Sequence, residues 1–186
     1  MIIYITNRKI CSGDFLGRID MLAKSRPHAI MLREKDLGQE EYEALAAKVK
    51  SVCDLSGVSL IVNGHIETAS KLGIPFIHLS MTDLRLNADG LNDFTSVGAS
   101  VHNVSEAQEA QELGASYLIA GHIFPTDCKK GVPPRGLSFL REVCDSVNVP
   151  VFAIGGMTND MIEDIMSFGA KGICLMSEAM TSKNIQ

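Results

Sequence analysis

The amino-acid sequence predicts an α/β fold, a parallel (β/α)8 TIM barrel with a truncated final helix. Eight short apolar runs alternate with amphipathic runs along the chain, and this alternation is typical of parallel sheets covered by helices. A doubly wound sheet would show the same alternation. The number of strands, the lack of a glycine-rich turn after the first strand and the polar residues at the strand ends favour the barrel. A chain of 186 residues suits a single domain, 1–186.

The predicted elements follow from these runs. The eight strands are expected at 2–6, 29–33, 59–63, 76–80, 97–102, 117–121, 150–155 and 172–177. Helix patterns cover 38–56, 105–114 and 158–169. Ser105 is the expected N-cap and Gly114 the expected C-cap of the second helix, and Thr158 or Asn159 would cap the third.

The segment after the last strand is short. Only residues 178–186 follow it, and a full helix usually needs more. We therefore expect a stub or no helix there, and a thinly covered flank between the last and first strands. A partner subunit in a homodimer would cover that flank.

Composition narrows the class of function. The formal net charge is −5, there is no Trp, and only three residues are Tyr, whereas nucleic-acid binders usually combine a basic face with stacking aromatics. The five cysteines are odd in number and widely spaced, which argues against a disulfide framework or a zinc site. No run has the length of a membrane span or the pattern of a signal peptide. We expect a cytoplasmic protein with reduced thiols that binds a small molecule, not nucleic acid or a membrane.

Glycines and a serine after the last two strands indicate a phosphate site. Gly155 and Gly156 lie between strand 7 and a helix start, and Ser177 ends strand 8. Glycine allows the backbone to approach a ligand closely, and helix N-termini attract anions. Loops after strands 7 and 8 are the usual phosphate site of this fold. A plain tight turn at the two glycines is the structural alternative.

Charged residues end strand 2. Arg33 and Lys35 alternate to one face and Glu34 to the other. Two cations at the mouth of a barrel suit a phosphate or a carboxylate. Solvated surface charges are the alternative explanation.

Histidines follow several strands. His78 lies inside strand 4 and is expected to be a satisfied core residue. His122 ends strand 6 and begins the segment 121–136, which is rich in Gly and Pro and is typical of an active-site lid. A histidine beneath a lid suits proton transfer near neutral pH. Asp83 stands alone after strand 4, so a magnesium site has weak support.

Seven motifs in order resemble one family. They are MLREK, LIVNG, IHLSMTDL, GASVHNVSEA, GHIFPTDCKKG, AIGGM and LMSEA. As a set they resemble the thiamine phosphate synthases and thiazole tautomerases, over nearly the whole chain. The resemblance implies substrate binding by Arg33, Lys35, Asn63, Ser100, Lys130, Gly155, Gly156 and Ser177.

Departures from the synthase pattern favour the tautomerase subgroup. Met31 stands where the synthase has a glutamine, Gly64 where it has a magnesium aspartate, Met81 where it has a second glutamine, and His122 where it has a proline. A thioether cannot replace an amide's hydrogen bonds. We therefore expect an isomerase, a thiazole tautomerase that aromatises a carboxylated thiazole phosphate by proton transfer through His122, with no cofactor.

Two alternatives remain open at this point. One is a thiamine phosphate synthase, a transferase that joins a pyrimidine diphosphate to a thiazole phosphate with Mg²⁺, for which Asp83 would be the metal ligand. The other is a non-catalytic regulator that keeps the barrel and binds a phosphorylated metabolite.

Overall fold

A closed barrel of eight strands forms the core of the fold. The computed structural model describes residues 1–129 and 131–182, and the strands are hydrogen-bonded neighbours in sequence order. Strand pairs such as β1–β2 and β7–β8 run parallel, which confirms the predicted TIM barrel. The strands are β1 Ile2–Ile5, β2 Ala29–Leu32, β3 Ser59–Asn63, β4 Phe76–Ser80, β5 Ser96–Val101, β6 Tyr117–Gly121, β7 Val151–Ile154 and β8 Gly172–Leu175.

A helix follows each strand, and after β1, β6 and β7 a 3₁₀ turn precedes the helix. The helices are α1 Phe15–Lys24, α2 Gln39–Ser56, α3 Ile66–Lys71, α4 Met81–Asn87, α5 Val104–Glu112, α6 Gly136–Ser146, α7 Ile162–Ser167 and α8 Ser177–Thr181. Short 3₁₀ turns occupy Arg8–Ile10, Ala88–Gly90, Asp127–Lys129 and Asn159–Met161. The five-residue α8 confirms the truncated final helix.

The chain divides into two compact units, and the boundaries fall inside β4 and β8. The β1–β3 unit comprises Ile2–Ile77 with residues 175–182, and the β5–β8 unit comprises His78–Cys174 with Met1. All four residues of β2 and all five of β6 are buried, as expected for strands of a parallel sheet with both faces covered. That residues 1–186 form a single domain stays a prediction.

The helix caps differ from the sequence expectation. Asn103, not Ser105, is the N-cap of α5, and its side-chain oxygen accepts a hydrogen bond from the N–H of Glu106 at 2.7 Å. Thr158 precedes the 3₁₀ turn Asn159–Met161 and makes no side-chain cap bond. Asn is as good a cap as Ser, so the hydrophobic pattern alone could not choose between positions two residues apart.

None of the helices in the described part of the chain combines the length and the apolar character needed to cross a lipid bilayer.

Candidate active site

Arg33, Glu34 and Lys35 follow β2, which ends at Leu32, and the glutamate is the buried member of the three. It is 2% exposed, whereas Arg33 is half-buried and Lys35 is exposed. Within the described residues, neither of these cations has an ion-pair partner. Arg33 and Lys35 are therefore uncommitted positive charges at the carboxyl end of β2.

The buried Glu34 carboxylate is held entirely by neutral donors. The Thr6 hydroxyl donates to Oε1 at 2.6 Å, and the Arg8 N–H donates to Oε1 at 3.1 Å and to Oε2 at 3.0 Å. The Arg33 N–H in turn donates to the Thr6 hydroxyl at 3.0 Å. This Glu34 cluster joins the carboxyl ends of β1 and β2 and holds the backbone of the segment that carries Arg33 and Lys35. Sequence reasoning missed it, although a carboxylate between two cations in a strand pattern was a signal.

Asn63 lies at the end of β3 beside a buried tyrosine. The Tyr42 hydroxyl donates to the Leu32 carbonyl at 2.6 Å and accepts from the Asn63 N–H at 3.3 Å, so it joins β2 to β3. Burial raises the pKa of Tyr42 well above its usual value. The ring of His65 stacks on that of Tyr42 with 3.7 Å between centroids.

Ser177 was predicted to end β8, but it lies beyond the strand. The strand ends at Leu175, and Ser177 is the exposed first residue of α8. The Arg18 side chain, 7% exposed, holds this short helix by donating to the Ala179 carbonyl at 2.6 Å.

Ser100 of β5 belongs to a buried polar cluster in the β5–β8 unit. Its hydroxyl lies 2.8 Å from His78 Nε2, and His78 Nδ1 lies 3.2 Å from the Tyr117 hydroxyl. His78 is 2% exposed and Tyr117 is 7% exposed, so His78 is the satisfied core histidine that was predicted. The sequence did not show that its partner is the candidate substrate ligand Ser100.

His122 lies directly after β6 and is 4% exposed. Its Nε2 lies 3.2 Å from the Val132 carbonyl, and a carbonyl oxygen only accepts, so Nε2 carries the proton of the neutral ring. Nδ1 is then an acceptor, and it is buried without a hydrogen-bond partner in the described structure. A buried unpartnered acceptor is costly, which makes this atom a candidate contact for a donor group on a ligand.

Gly155 and Gly156 have positive φ angles of 103° and 67°. A Cβ at Gly156 would lie 2.6 Å from the Pro125 carbonyl oxygen and 2.7 Å from Phe124 Cβ, and one at Gly155 would clash with His122 Cβ. These glycines are therefore required by close packing against the segment after β6. Their predicted role in phosphate binding is compatible with that packing and remains a prediction.

Asp83 lies in the first turn of α4, where it pairs with Ser80. The Ser80 hydroxyl donates to Asp83 Oδ2 at 2.6 Å and accepts from the Asp83 N–H at 3.1 Å, so Ser80 caps the helix and the carboxylate accepts from the cap. Among residues 1–129 and 131–182, no group of three or more His, Cys, Asp or Glu side chains is arranged to hold a metal. Lys130, the remaining predicted ligand, lies outside the described residues.

The comparisons with known proteins identify the family. The model of the family described as thiamine monophosphate synthase matches residues 2–179. The chain belongs to this family. Its members are enzymes of thiamine biosynthesis that act on small phosphorylated substrates.

Individual relatives agree with the family match. A "Thiamine-phosphate synthase" of Clostridium botulinum (strain Langeland) is 36% identical over 98% of this chain and 91% of its own length. One of Fusobacterium nucleatum is 31% identical over 97% of this chain and 89% of its own length. The solved structure titled "Thiamine phosphate pyrophosphorylase" from Pyrococcus furiosus has a TM-score of 0.86 and 26% identity, and the match covers 98% of this chain and 88% of that one.

These relatives contradict the expected thiazole tautomerase, because they cover nearly the whole chain and carry the name of the synthase. The expectation gave too much weight to single departures. Met31 was interpreted as a lost ligand contact, but it is 1% exposed and packed in β2, with its sulfur 4.0 Å from the Asn63 amide nitrogen. The isomerase prediction is therefore wrong.

Proposed function

We propose that the chain is a thiamine-phosphate synthase, a cytoplasmic transferase that joins a pyrimidine diphosphate to a thiazole phosphate. The observation that carries the proposal is the near full-length similarity to proteins of that name, on the same barrel. In this reaction a carbon–nitrogen bond forms between the pyrimidine methylene and the thiazole nitrogen. The carbon–oxygen bond to the diphosphate breaks, and diphosphate leaves with the bonding electrons.

Arg33 and Lys35 are the proposed diphosphate ligands. Diphosphate gains negative charge as it leaves, and fixed cations at that point stabilise the transition state. The two side chains have no ion-pair partner within the described residues, and the Glu34 cluster fixes the backbone that carries them.

Asp83 fits a magnesium ion that arrives with the substrate better than a preformed protein site. Magnesium is often held by one or two carboxylates together with substrate phosphates and water. Asp83 offers one carboxylate, whose Oδ2 already accepts from Ser80. Neutralisation of the charge on the leaving diphosphate is the chemistry that magnesium would supply.

His122, Gly155 and Gly156 are the proposed substrate contacts after β6 and β7, and Asn63, Ser100, Lys130 and Ser177 remain proposed ligands from the family motifs. His122 Nδ1 would accept a hydrogen bond from a substrate or water donor, because Nε2 is engaged by Val132. Its catalytic role stays a prediction.

The test is formation of thiamine phosphate from both substrates with Mg²⁺, followed by chromatography and by release of diphosphate. We expect turnover that EDTA abolishes. Replacing the cation in Arg33→Gln or Lys35→Met should lower kcat by about 10²–10³-fold, the usual loss of one electrostatic stabiliser. Lys48→Met is the matched control, because Lys48 is an exposed α2 lysine of the same unit. Substrate binding without product would overturn the proposal.

A further inference from the structure

Three side chains of the β5–β8 unit form a continuous hydrogen-bonded chain that we call the Tyr117 relay. It runs from the Tyr117 hydroxyl through the His78 imidazole to the Ser100 hydroxyl, with distances of 3.2 and 2.8 Å. Ser100 is half-buried, while the other two members are buried. The relay therefore connects a partly accessible hydroxyl to the interior of the unit.

The backbone makes room for this arrangement at a specific glycine. Gly98 of β5 is the register partner of Tyr117 on β6, and a Cβ at Gly98 would overlap the Tyr117 ring. The Tyr117 ring also meets Phe152 edge-on, with centroids 6.0 Å apart. The tyrosine hydroxyl is therefore held in one place beside His78.

The proton on the imidazole decides what Ser100 offers to a ligand. A neutral imidazole has one N–H and one acceptor nitrogen, and hydroxyls do both. With the proton on Nδ1, His78 donates to Tyr117 and accepts from Ser100, so that only lone pairs of Ser100 remain for a ligand. With the proton on Nε2, Tyr117 donates to Nδ1 and His78 donates to Ser100. The Ser100 proton is then free for a ligand.

Tyr117 is able to act as the donor at the far end of the relay. Burial raises the pKa of its hydroxyl well above the usual value, so the phenol keeps its proton at ordinary pH. A phosphoryl oxygen only accepts hydrogen bonds. Such a ligand at Ser100 therefore requires the second arrangement, with the proton of His78 on Nε2.

We propose that His78 is a positioning residue, which acts through Ser100: a phosphoryl group of the substrate selects the Nε2–H form of His78, and Tyr117 supports it. The proposal rests on the proposed function, because it takes Ser100 as a ligand of a phosphoryl group of the substrate. It adds two residues, His78 and Tyr117, that no motif assigned to substrate binding.

The first test needs no turnover, so it stays informative even if the synthase proposal fails. The full chain is labelled with ¹⁵N-histidine, and the His78 signals are assigned by their loss in His78→Gln. We expect saturating inorganic diphosphate to convert His78 to the Nε2–H form in the wild type and to have no effect on His78 in Ser100→Ala. A diphosphate-saturated His78 in the Nδ1–H form, or no response of His78 at all, would overturn the proposal.

The second test is a double-mutant cycle on kcat/KM. His78→Gln should lower kcat/KM about 10-fold in the wild type, as for loss of one useful hydrogen bond, and less than about 2-fold in Ser100→Ala. A purely structural role of His78 predicts the same loss of kcat/KM in both backgrounds, and that result would contradict the proposal. Tyr117→Phe keeps the ring and provides the same cycle if His78→Gln does not fold. His102→Gln is the matched control, because His102 is half-exposed and lies 3.2 Å from Glu106.

Discussion

Each of the two units contains a buried polar cluster behind a candidate substrate ligand, and the Glu34 cluster and the Tyr117 relay differ in kind. The Glu34 cluster has a charged acceptor whose donors are a hydroxyl and backbone N–H groups. The carboxylate can only accept, so this cluster has one arrangement. The Tyr117 relay joins groups that both donate and accept, so it has two. The β1–β3 unit thus holds the backbone of Arg33 and Lys35 in one position. In the β5–β8 unit, the ligand determines whether the Ser100 hydroxyl donates or accepts.

The largest loss of stability is expected from a change in the Glu34 cluster. Glu34→Ala removes the acceptor of the Arg8 N–H and of the Thr6 hydroxyl, and should lower the free energy of unfolding by about 4 kcal/mol, since each unsatisfied buried group costs about 1–3 kcal/mol. Urea denaturation measures this change. Asp36→Asn is the control, because it removes only solvent-exposed ion pairs with Arg8 and Lys9, and such pairs contribute little to stability. Equal losses in the two variants would mean that the Glu34 cluster is not rigidly satisfied.

A smaller effect is expected from the glycines that follow strands in the two units. Gly156→Ala places a Cβ against Pro125 and Phe124 at a φ of 67°, and should cost about 3 kcal/mol from overpacking and left-handed backbone together. Gly64→Ala in the other unit has a φ of 79° with no atom within 4 Å, and should cost about 1–2 kcal/mol. Thermal unfolding of both variants measures the difference. If Gly64→Ala proves as costly, packing after β6 is not what requires Gly156.

The smallest effect is a pH dependence in the β1–β3 unit. Burial lowers the pKa of His65 below 6.5, so the unfolded chain binds its proton more readily than the folded one. Stability should therefore fall as pH drops below about 6.5 and level off below the folded pKa. His65→Asn should flatten this part of the curve of unfolding free energy against pH. An unchanged slope in that variant would show that protonation of His65 does not contribute to the pH dependence.

Much of the fold could be predicted from the sequence. Each of the eight strands lies within two residues of its predicted position, because strands buried on both faces leave continuous apolar runs. The helix pattern at 38–56 matches α2 at Gln39–Ser56. Caps were less predictable, as Asn103 shows, because several residues near a helix start are chemically able to cap it.

The sequence supplied the candidate site residues but not the contacts that they make. Arg33, Glu34 and Lys35 lie after the end of β2 at Leu32, and the sequence did not show that the glutamate is the buried member of the three. The tautomerase prediction failed because single positions such as Met31 were given roles without knowledge of their burial. Similarity over the whole chain identifies the family more firmly than a few substitutions select a reaction.

The sequence by itself determined the barrel, the short last helix and the residues at the strand ends, because burial and strand periodicity act over neighbouring residues. Only the tertiary structure decided which polar groups meet. Thr6 reaches Glu34 across 28 positions and His78 reaches Tyr117 across 39. A hydrogen bond is made or lost by a change of a few tenths of an ångström in the distance between donor and acceptor. No local pattern along the chain records such distances between strands.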